Sequence, residues 1–295
     1  MPDPSDNSDE TPPKRRRSLA YRLTRIVLAV GLVGLVVRLA GCAELLAYFP
    51  SREPFVTPPG FEDVEFTSAD GTRLHGWFMP ATDADPDHPG PAILHVHGNA
   101  GNIDSHESFS RFFTRHGLSV FIFDYRRYGR SEDRGPLRRR ALLADTEAAL
   151  ATLKARTDID PTRIGVYGVS LGGVFALHAA ADEPGVRAVA TVSAFSTWRG
   201  VARDLQPLLG PLLMPGGLEP AAAGLGDRPY LIVHGLADEI INPRHAHLLA
   251  SAARDAGVPT TVWTDPTGDH NAMIQTNPTA RQQLIDFFTE HLAPN

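Results

Sequence analysis

Gly168-Val169-Ser170-Leu171-Gly172 joins an apolar run, Arg163–Gly168, to a helix-like stretch, Leu171–Ala181. In a G-x-S-x-G turn between strand and helix, the glycines permit a bend that a Cβ would block. The bend lifts the serine hydroxyl above the sheet edge. A hydroxyl is a weak nucleophile until a base takes its proton. Among twelve histidines, His270 in Thr267-Gly268-Asp269-His270-Asn271 is the candidate base, because it follows the last strand-like run. His97, which begins His97-Gly98-Asn99-Ala100-Gly101-Asn102, is a rival, although a histidine inside such a turn more often braces the loop. His95 and His234 sit on strand-like runs and read as structural. His245 and His247 are two apart on a helix-like stretch and so face different ways, which does not suit a metal pair. A base needs a carboxylate to fix its tautomer. Asp238 in His234-Gly235-Leu236-Ala237-Asp238 is the candidate, with Asp124 and Glu239 as rivals. The oxyanion of an acyl-transfer intermediate needs two backbone N–H groups. Leu171, directly after Ser170, gives one, and the turn after His97 gives the other, most simply at Asn99.

These residues require an ordered scaffold. Val64–Thr67 and Thr72–Met79 alternate around Asp70-Gly71, a hairpin signal. Beyond them, apolar strand-like runs alternate with helical patterns. The strands are expected at Ala92–His97, Ser119–Asp124, Arg163–Gly168, Val186–Ser193, Tyr230–His234 and Thr260–Trp263. The helices are expected at 104–116, 138–156, Leu171–Ala181, 244–256 and 279–291. That alternation predicts an α/β fold, with a mostly parallel central sheet covered by helices on both faces. Residues 196–229, rich in Leu, Pro, Gly and Ala, interrupt it and read as a small inserted cap.

The chain has 295 residues, of which 42% are hydrophobic and 21% charged, a balance that excludes a wholly disordered or many-span membrane chain. Residues 51–295 carry a net charge of −8, which makes nucleic acid an unsuitable partner. Cys42 is the single cysteine, so neither an intrachain disulfide nor a cysteine-based zinc site can form. Residues 1–25 are polar and then basic and are expected to be disordered on the cytoplasmic side. Residues 26–49 read as a signal or anchor segment around twelve uncharged apolar residues, Ile26–Val37. One reading is an uncleaved anchor from about Leu19 to Ala43, in which Arg38 would be costly at mid-membrane. The other is a lipoprotein signal, since Leu39-Ala40-Gly41-Cys42 is similar to a lipobox with Cys42 as the acylated residue. Both readings hold the chain at a membrane with everything after residue 50 outside. Residues 50–59 read as a proline-marked linker, and 60–295 as the folded domain.

As a set, the motifs resemble the alpha/beta-hydrolase superfamily: HGNAGN, DYRRYGRS, GVSLGG, HGLADEIINP and GDHN occur in that order over about residues 60–292. The similarity is greatest to the membrane-anchored hydrolase-domain branch, which includes thioesterases, and extends to serine aminopeptidase-like hydrolases. The resemblance implies a triad in the order Ser170, Asp238, His270. It departs at Arg127, where that branch usually has glycine, which puts the shape of that loop in doubt. Acyl transfer of this kind calls for no cofactor and no metal. The expected activity is hydrolysis of carboxylic esters or thioesters by a monomer acting on a small-molecule or lipid acyl substrate. The apolar Leu205–Leu218 would suit the acyl chain. A peptidase of the same fold and a non-catalytic binding protein on this scaffold are the alternatives. The many arginines of 126–140 read as a self-paired surface, with headgroup binding as the rival.

Overall fold

The computed structural model describes residues 19–39, 47–85, 87–214, 216–217, 219 and 221–294. Cys42 and the whole of 1–18 lie outside the described residues. The strands are β1 (Phe49–Pro50), β2 (Glu62–Thr67), β3 (Arg73–Met79), β4 (Gly90–Val96), β5 (Ala100–Gly101), β6 (Ser119–Asp124), β7 (Ile159–Val169), β8 (Val186–Val192), β9 (Tyr230–Gly235) and β10 (Thr260–Asp265). Eight form one sheet in the order β10-β9-β8-β7-β4-β6-β3-β2. β6, β4, β7, β8, β9 and β10 run parallel, and β3 joins β6 and β2 antiparallel. The hairpin turns at Asp70-Gly71, where Gly71 takes φ 81° and the Asp70 carboxylate accepts the Thr72 N–H at 3.1 Å. β6 is buried at every position, as expected of a strand covered on both faces.

One apolar cluster packs Leu142, Leu150, Val174 and Leu249 on one face of the sheet. A second packs Phe113, Ile274, Leu284 and Phe288 on the other. The helices Arg139–Lys154, Leu171–Asp182 and Arg244–Asp255 therefore cover one side, and Pro278–His291 the other. This is the alpha/beta-hydrolase fold. Parallel strands bring their carboxyl ends to one edge, and the segments containing Asn99, Ser170, Asp238 and His270 all leave the sheet there.

Two segments depart from the sequence-based expectation. The helix expected at 104–116 is a short α-helix, Ile103–His106, followed by 3₁₀ turns at Glu107–Phe109 and Arg111–His116. The α-helix stops at His106, and the two 3₁₀ turns divide at Ser110, whose buried hydroxyl meets His95 Nδ1 at 2.8 Å, a tertiary contact that local propensity does not contain. Residues 50–59, expected as a linker, form a strap across the domain. β1 pairs with β5, the Gly129 N–H donates to Ser51 O at 2.8 Å, and Arg130 donates to Phe55 O at 2.6 Å.

The 196–229 insertion holds helices Trp198–Leu205 and Gly210–Leu213 and a 3₁₀ turn at Ala222–Leu225. At its base, Ser196 Oγ meets His245 Nδ1 at 2.8 Å and His245 Nε2 meets Asp204 at 3.1 Å, so His245 ties the insertion to helix Arg244–Asp255 rather than holding a metal. His247 is exposed. The N-terminal helix α1 (Leu19–Leu39) contains 20 residues, Leu19–Arg38, long and apolar enough to cross a membrane. Arg38 stands in its last turn rather than at its middle.

Candidate active site

Ser170 caps the amino end of helix Leu171–Asp182 with φ 53° and ψ −117°, a left-handed backbone that a non-glycine residue adopts only when its surroundings hold it. Those surroundings are close. A Cβ on Gly172 would lie 2.0 Å from Val96 O, and one on Gly168 would lie 2.6 Å from Gly173 Cα. Both flanking glycines of the motif are therefore required by contact. The Ser170 N–H donates to Val192 O at 2.8 Å, fixing the turn to the neighbouring strand.

The structure brings the three predicted side chains together. His270 Nε2 lies 3.1 Å from Ser170 Oγ, and His270 Nδ1 lies 2.8 Å from Asp238 Oδ2. The other Asp238 oxygen accepts the N–H groups of Ile240 and Ile241 at 2.9 and 2.8 Å. Burial alone would raise the Asp238 pKa, but hydrogen bonds from His234 and His270, the charge of His270 and the Ile241 N–H outweigh it and hold the carboxyl well below the usual range. Asp238 is thus kept ionised, and its Oδ2 can only accept, which places the imidazole proton on Nδ1 and leaves Nε2 free to take the Ser170 proton.

The rival residues have other places. His97 is buried and stacked on His106 at 5.0 Å, with Nδ1 2.8 Å from Gly98 O, and burial holds its pKa well below the ordinary value. It braces the turn. Asp124 accepts the N–H groups of Ile103 at 2.9 Å and Arg130 at 3.3 Å, so it pins two loops. Glu239 is exposed. His234 Nε2 donates to Ile241 O at 2.9 Å and also lies 3.3 Å from Asp238 Oδ2.

For the oxyanion, the backbone N–H groups of Asn99 and Leu171 have no acceptor among the described residues. The turn lies against the serine, since a Cβ on Gly98 would stand 3.7 Å from Ser170 Cβ. Two tyrosines that sequence reasoning did not assign hold this turn. Tyr125 donates to His97 O at 3.0 Å, and Tyr128 donates to Asn99 O at 2.7 Å. Both come from DYRRYGRS, and their signal was two tyrosines just past a strand end. Arg127 in the same loop keeps φ 68°, the left-handed conformation that suits the glycine of similar chains, and pairs with Asp133 at 2.7 Å. Left-handed backbone costs an L-residue about 1–2 kcal/mol. Against that stand a half-exposed ion pair of roughly 0–1 kcal/mol and the added chain entropy of glycine. Arg127→Gly is therefore expected to stabilise the protein by about 0.5 kcal/mol; chemical denaturation showing clear destabilisation would contradict this account. The remaining arginines of the stretch are mostly engaged as well: Arg126 is buried between Asp145 and Asp70, each at 2.7 Å, and Arg130 pairs with Asp63 at 2.9 Å.

Comparison with known proteins agrees with this fold. Residues 91–214 match the family model described as alpha/beta hydrolase fold, and 217–295 match that of the prolyl oligopeptidase family. The uncharacterized protein YfhR of Escherichia coli K12 is 34% identical over 253 residues, covering 84% of this chain and 87% of that one. The alpha/beta hydrolase domain-containing protein WAV2 of Arabidopsis thaliana is 31% identical, covering 82% and 87%. Among solved structures, a Pyrococcus furiosus esterase superposes with a TM-score of 0.70 at 17% identity, covering 83% of this chain and 97% of the esterase. A Pyrococcus horikoshii acylaminoacyl peptidase superposes with a TM-score of 0.63 at 20% identity, over 78% of this chain and 41% of the peptidase. At those identities the solved structures carry the fold alone.

Proposed function

The chain belongs to the alpha/beta-hydrolase family, and from that premise we propose that it is a serine hydrolase of carboxylic esters or thioesters. The observation that carries the reading is the continuous Ser170–His270–Asp238 hydrogen-bond chain at a strained strand–helix turn. In the proposed reaction His270 takes the Ser170 proton as Oγ attacks the acyl carbon. The Asn99 and Leu171 N–H groups hold the oxyanion. His270 returns the proton to the leaving group, and water then hydrolyses the acyl-enzyme by the same steps. The enzyme acts as a monomer on a small-molecule or lipid acyl substrate.

A fluorophosphonate probe tests the nucleophile: one label per chain, absent in Ser170→Ala, is the expected result. An unlabelled wild type would leave a binding protein on a hydrolase scaffold. A panel of p-nitrophenyl esters of rising chain length, with an acyl thioester and a peptide amide alongside, tests the class. Turnover on short to medium acyl chains is expected. Amide turnover far above ester turnover would favour the peptidase, the second reading, which the match of residues 217–295 to the prolyl oligopeptidase family model supports.

We read α1 as a retained membrane anchor with the catalytic domain on the outer side. Two observations support this over the lipoprotein reading. Arg38 stands in the last turn of the described helix and closes its 20-residue apolar stretch. Gly34 is buried, and a Cβ there would lie 3.3 Å from Leu212 of the cap. Intact-mass measurement of the membrane-extracted chain is expected to retain the 41 residues before Cys42, and Cys42→Ser to leave that mass pattern unchanged. A mature chain beginning at an acylated Cys42 would replace the anchor by a lipoprotein.

A further inference from the structure

We propose that the cavity between α1 and the cap binds the phosphate headgroup of an anionic membrane lipid; the proposal rests on the reading of α1 as a retained anchor. The cavity has a volume of about 460 Å³ and is lined by Arg38, Arg199, Arg203, Pro207, Leu208 and Leu212. Arg38 comes from the last turn of α1, and Arg199 and Arg203 are one turn apart on helix Trp198–Leu205. That helix buries Trp198, Val201 and Ala202, which turns the two arginines together to the outside. Among the described residues none of the three arginines is paired with a carboxylate, whereas Arg126, Arg127, Arg130, Arg156 and Arg244 all are. Three cations facing one cavity repel one another unless an anion joins them. A phosphate offers acceptor oxygens that suit planar guanidinium groups.

The cavity's other lining says where the phosphate comes from. Leu208 and Leu212 line it and are 92% and 40% exposed, an apolar lip beside the arginines. Leu212 packs at Gly34 of α1, inside the stretch apolar enough to cross a membrane. Arg38 follows Gly34 by four residues, about 6 Å along a helix. Leu212 thus stands at the depth of α1's apolar residues and Arg38 one turn nearer its end, the order of acyl chain and phosphate in a lipid leaflet. A free phosphate would engage the arginines and leave the leucines in water. A lipid engages both.

The test uses the full chain in a non-ionic detergent, titrated with dioctanoyl-phosphatidylglycerol, with dioctanoyl-phosphatidylcholine and with inorganic phosphate, and read by native mass spectrometry. Phosphatidylglycerol is expected to bind at least about tenfold more tightly than either of the others, which corresponds to about 1.4 kcal/mol. Arg199→Gln/Arg203→Gln should weaken it about 25-fold, taking about 1 kcal/mol per arginine near a membrane surface and 1.4 kcal/mol per factor of ten. Leu208→Gln/Leu212→Gln should weaken the lipid and leave inorganic phosphate unchanged. Both cap pairs are exposed, and circular dichroism melts check their folding. If either misfolds, Arg38→Gln, outside the cap, gives the decision by the same titration. Equal affinity of wild type and arginine variants overturns the site, as does equal affinity for the two lipids. Inorganic phosphate binding as tightly as phosphatidylglycerol makes it a free-anion site and overturns the lipid assignment. Failure of the anchor reading is seen separately, as an intact mass that lacks α1.

Discussion

Ser170→Ala and His270→Ala are each expected to lower ester turnover by about 10⁶-fold, and the double variant to be little worse than either alone, as for other triads whose members act as one unit. The geometry dictates the non-additivity. Ser170 Oγ and His270 Nε2 share one hydrogen bond of 3.1 Å. Without the imidazole the hydroxyl keeps its proton, and without the hydroxyl the imidazole has no proton to take. Each removal therefore forfeits the same step. What survives is the stabilisation by the Asn99 and Leu171 N–H groups, which leaves about 10³–10⁴-fold over water in enzymes of this kind. Steady-state hydrolysis of p-nitrophenyl butyrate by the four proteins measures the cycle. Losses that multiply would show two independent contributions and would refute a shared proton transfer. The backbone predicts one further difference between the two positions. Ser170 is held at φ 53° by the turn around it, so Ser170→Ala keeps the strained backbone and removes only the hydroxyl. Its melting should therefore follow the wild type.

The three side chains that meet were legible in the sequence because each lies in the loop that leaves a strand, and parallel strands end at one edge. The glycines at 168 and 172 were legible for the same reason, and their contacts with Gly173 and Val96 O give the cause. The sequence already favoured Asp238 over Asp124, but both lie at or just past strand ends and both are buried, so the physical reason for the choice comes from contacts. Only three-dimensional contacts show that Asp124 is occupied by the Ile103 and Arg130 N–H groups. The same limit explains the helix expected at 104–116. Periodicity reports which face is apolar, but the Ser110–His95 bond joins residues 15 positions apart and leaves no local trace. The strap at 50–59 carries the prolines of a linker, and its partners Gly101, Gly129 and Arg130 lie far along the chain. Its proximity to the oxyanion turn is written in no nearby sequence. Asn99 Nδ2 donates to Ala47 O at 2.6 Å, so the segment that leads out of α1 also steadies the loop that would hold the oxyanion.

Asp238→Asn is expected to lower turnover by about 10⁴-fold while the fold persists. The hydrogen bonds around the carboxylate give the reason. Asp238 Oδ1 accepts two backbone N–H groups, from Ile240 and Ile241. An asparagine must leave its carbonyl oxygen in that place, so its NH₂ replaces Oδ2. That NH₂ then faces His270 Nδ1, where the wild type has an acceptor 2.8 Å away. The imidazole answers by carrying its proton on Nε2, which now meets Ser170 with a donor and cannot accept. His234 adds to the conflict, because its Nε2, kept a donor by Ile241 O, lies 3.3 Å from the same position. The carboxylate itself stays ionised. Its pKa is held well below the usual value of 3.8, so its titration should leave no limb in the pH–rate profile above about pH 4. The linked stability has the sign of a depressed carboxyl. It is present in full above the unfolded-state value and is lost as pH falls through the folded one. Asp124→Asn should behave differently. It loosens the Ile103 and Arg130 contacts, lowers the melting temperature and leaves most of the rate. Both variants are assayed for kcat and for pH dependence with the same ester. Near-wild-type turnover for Asp238→Asn, together with a collapse for Asp124→Asn, would transfer the role of the third residue to Asp124.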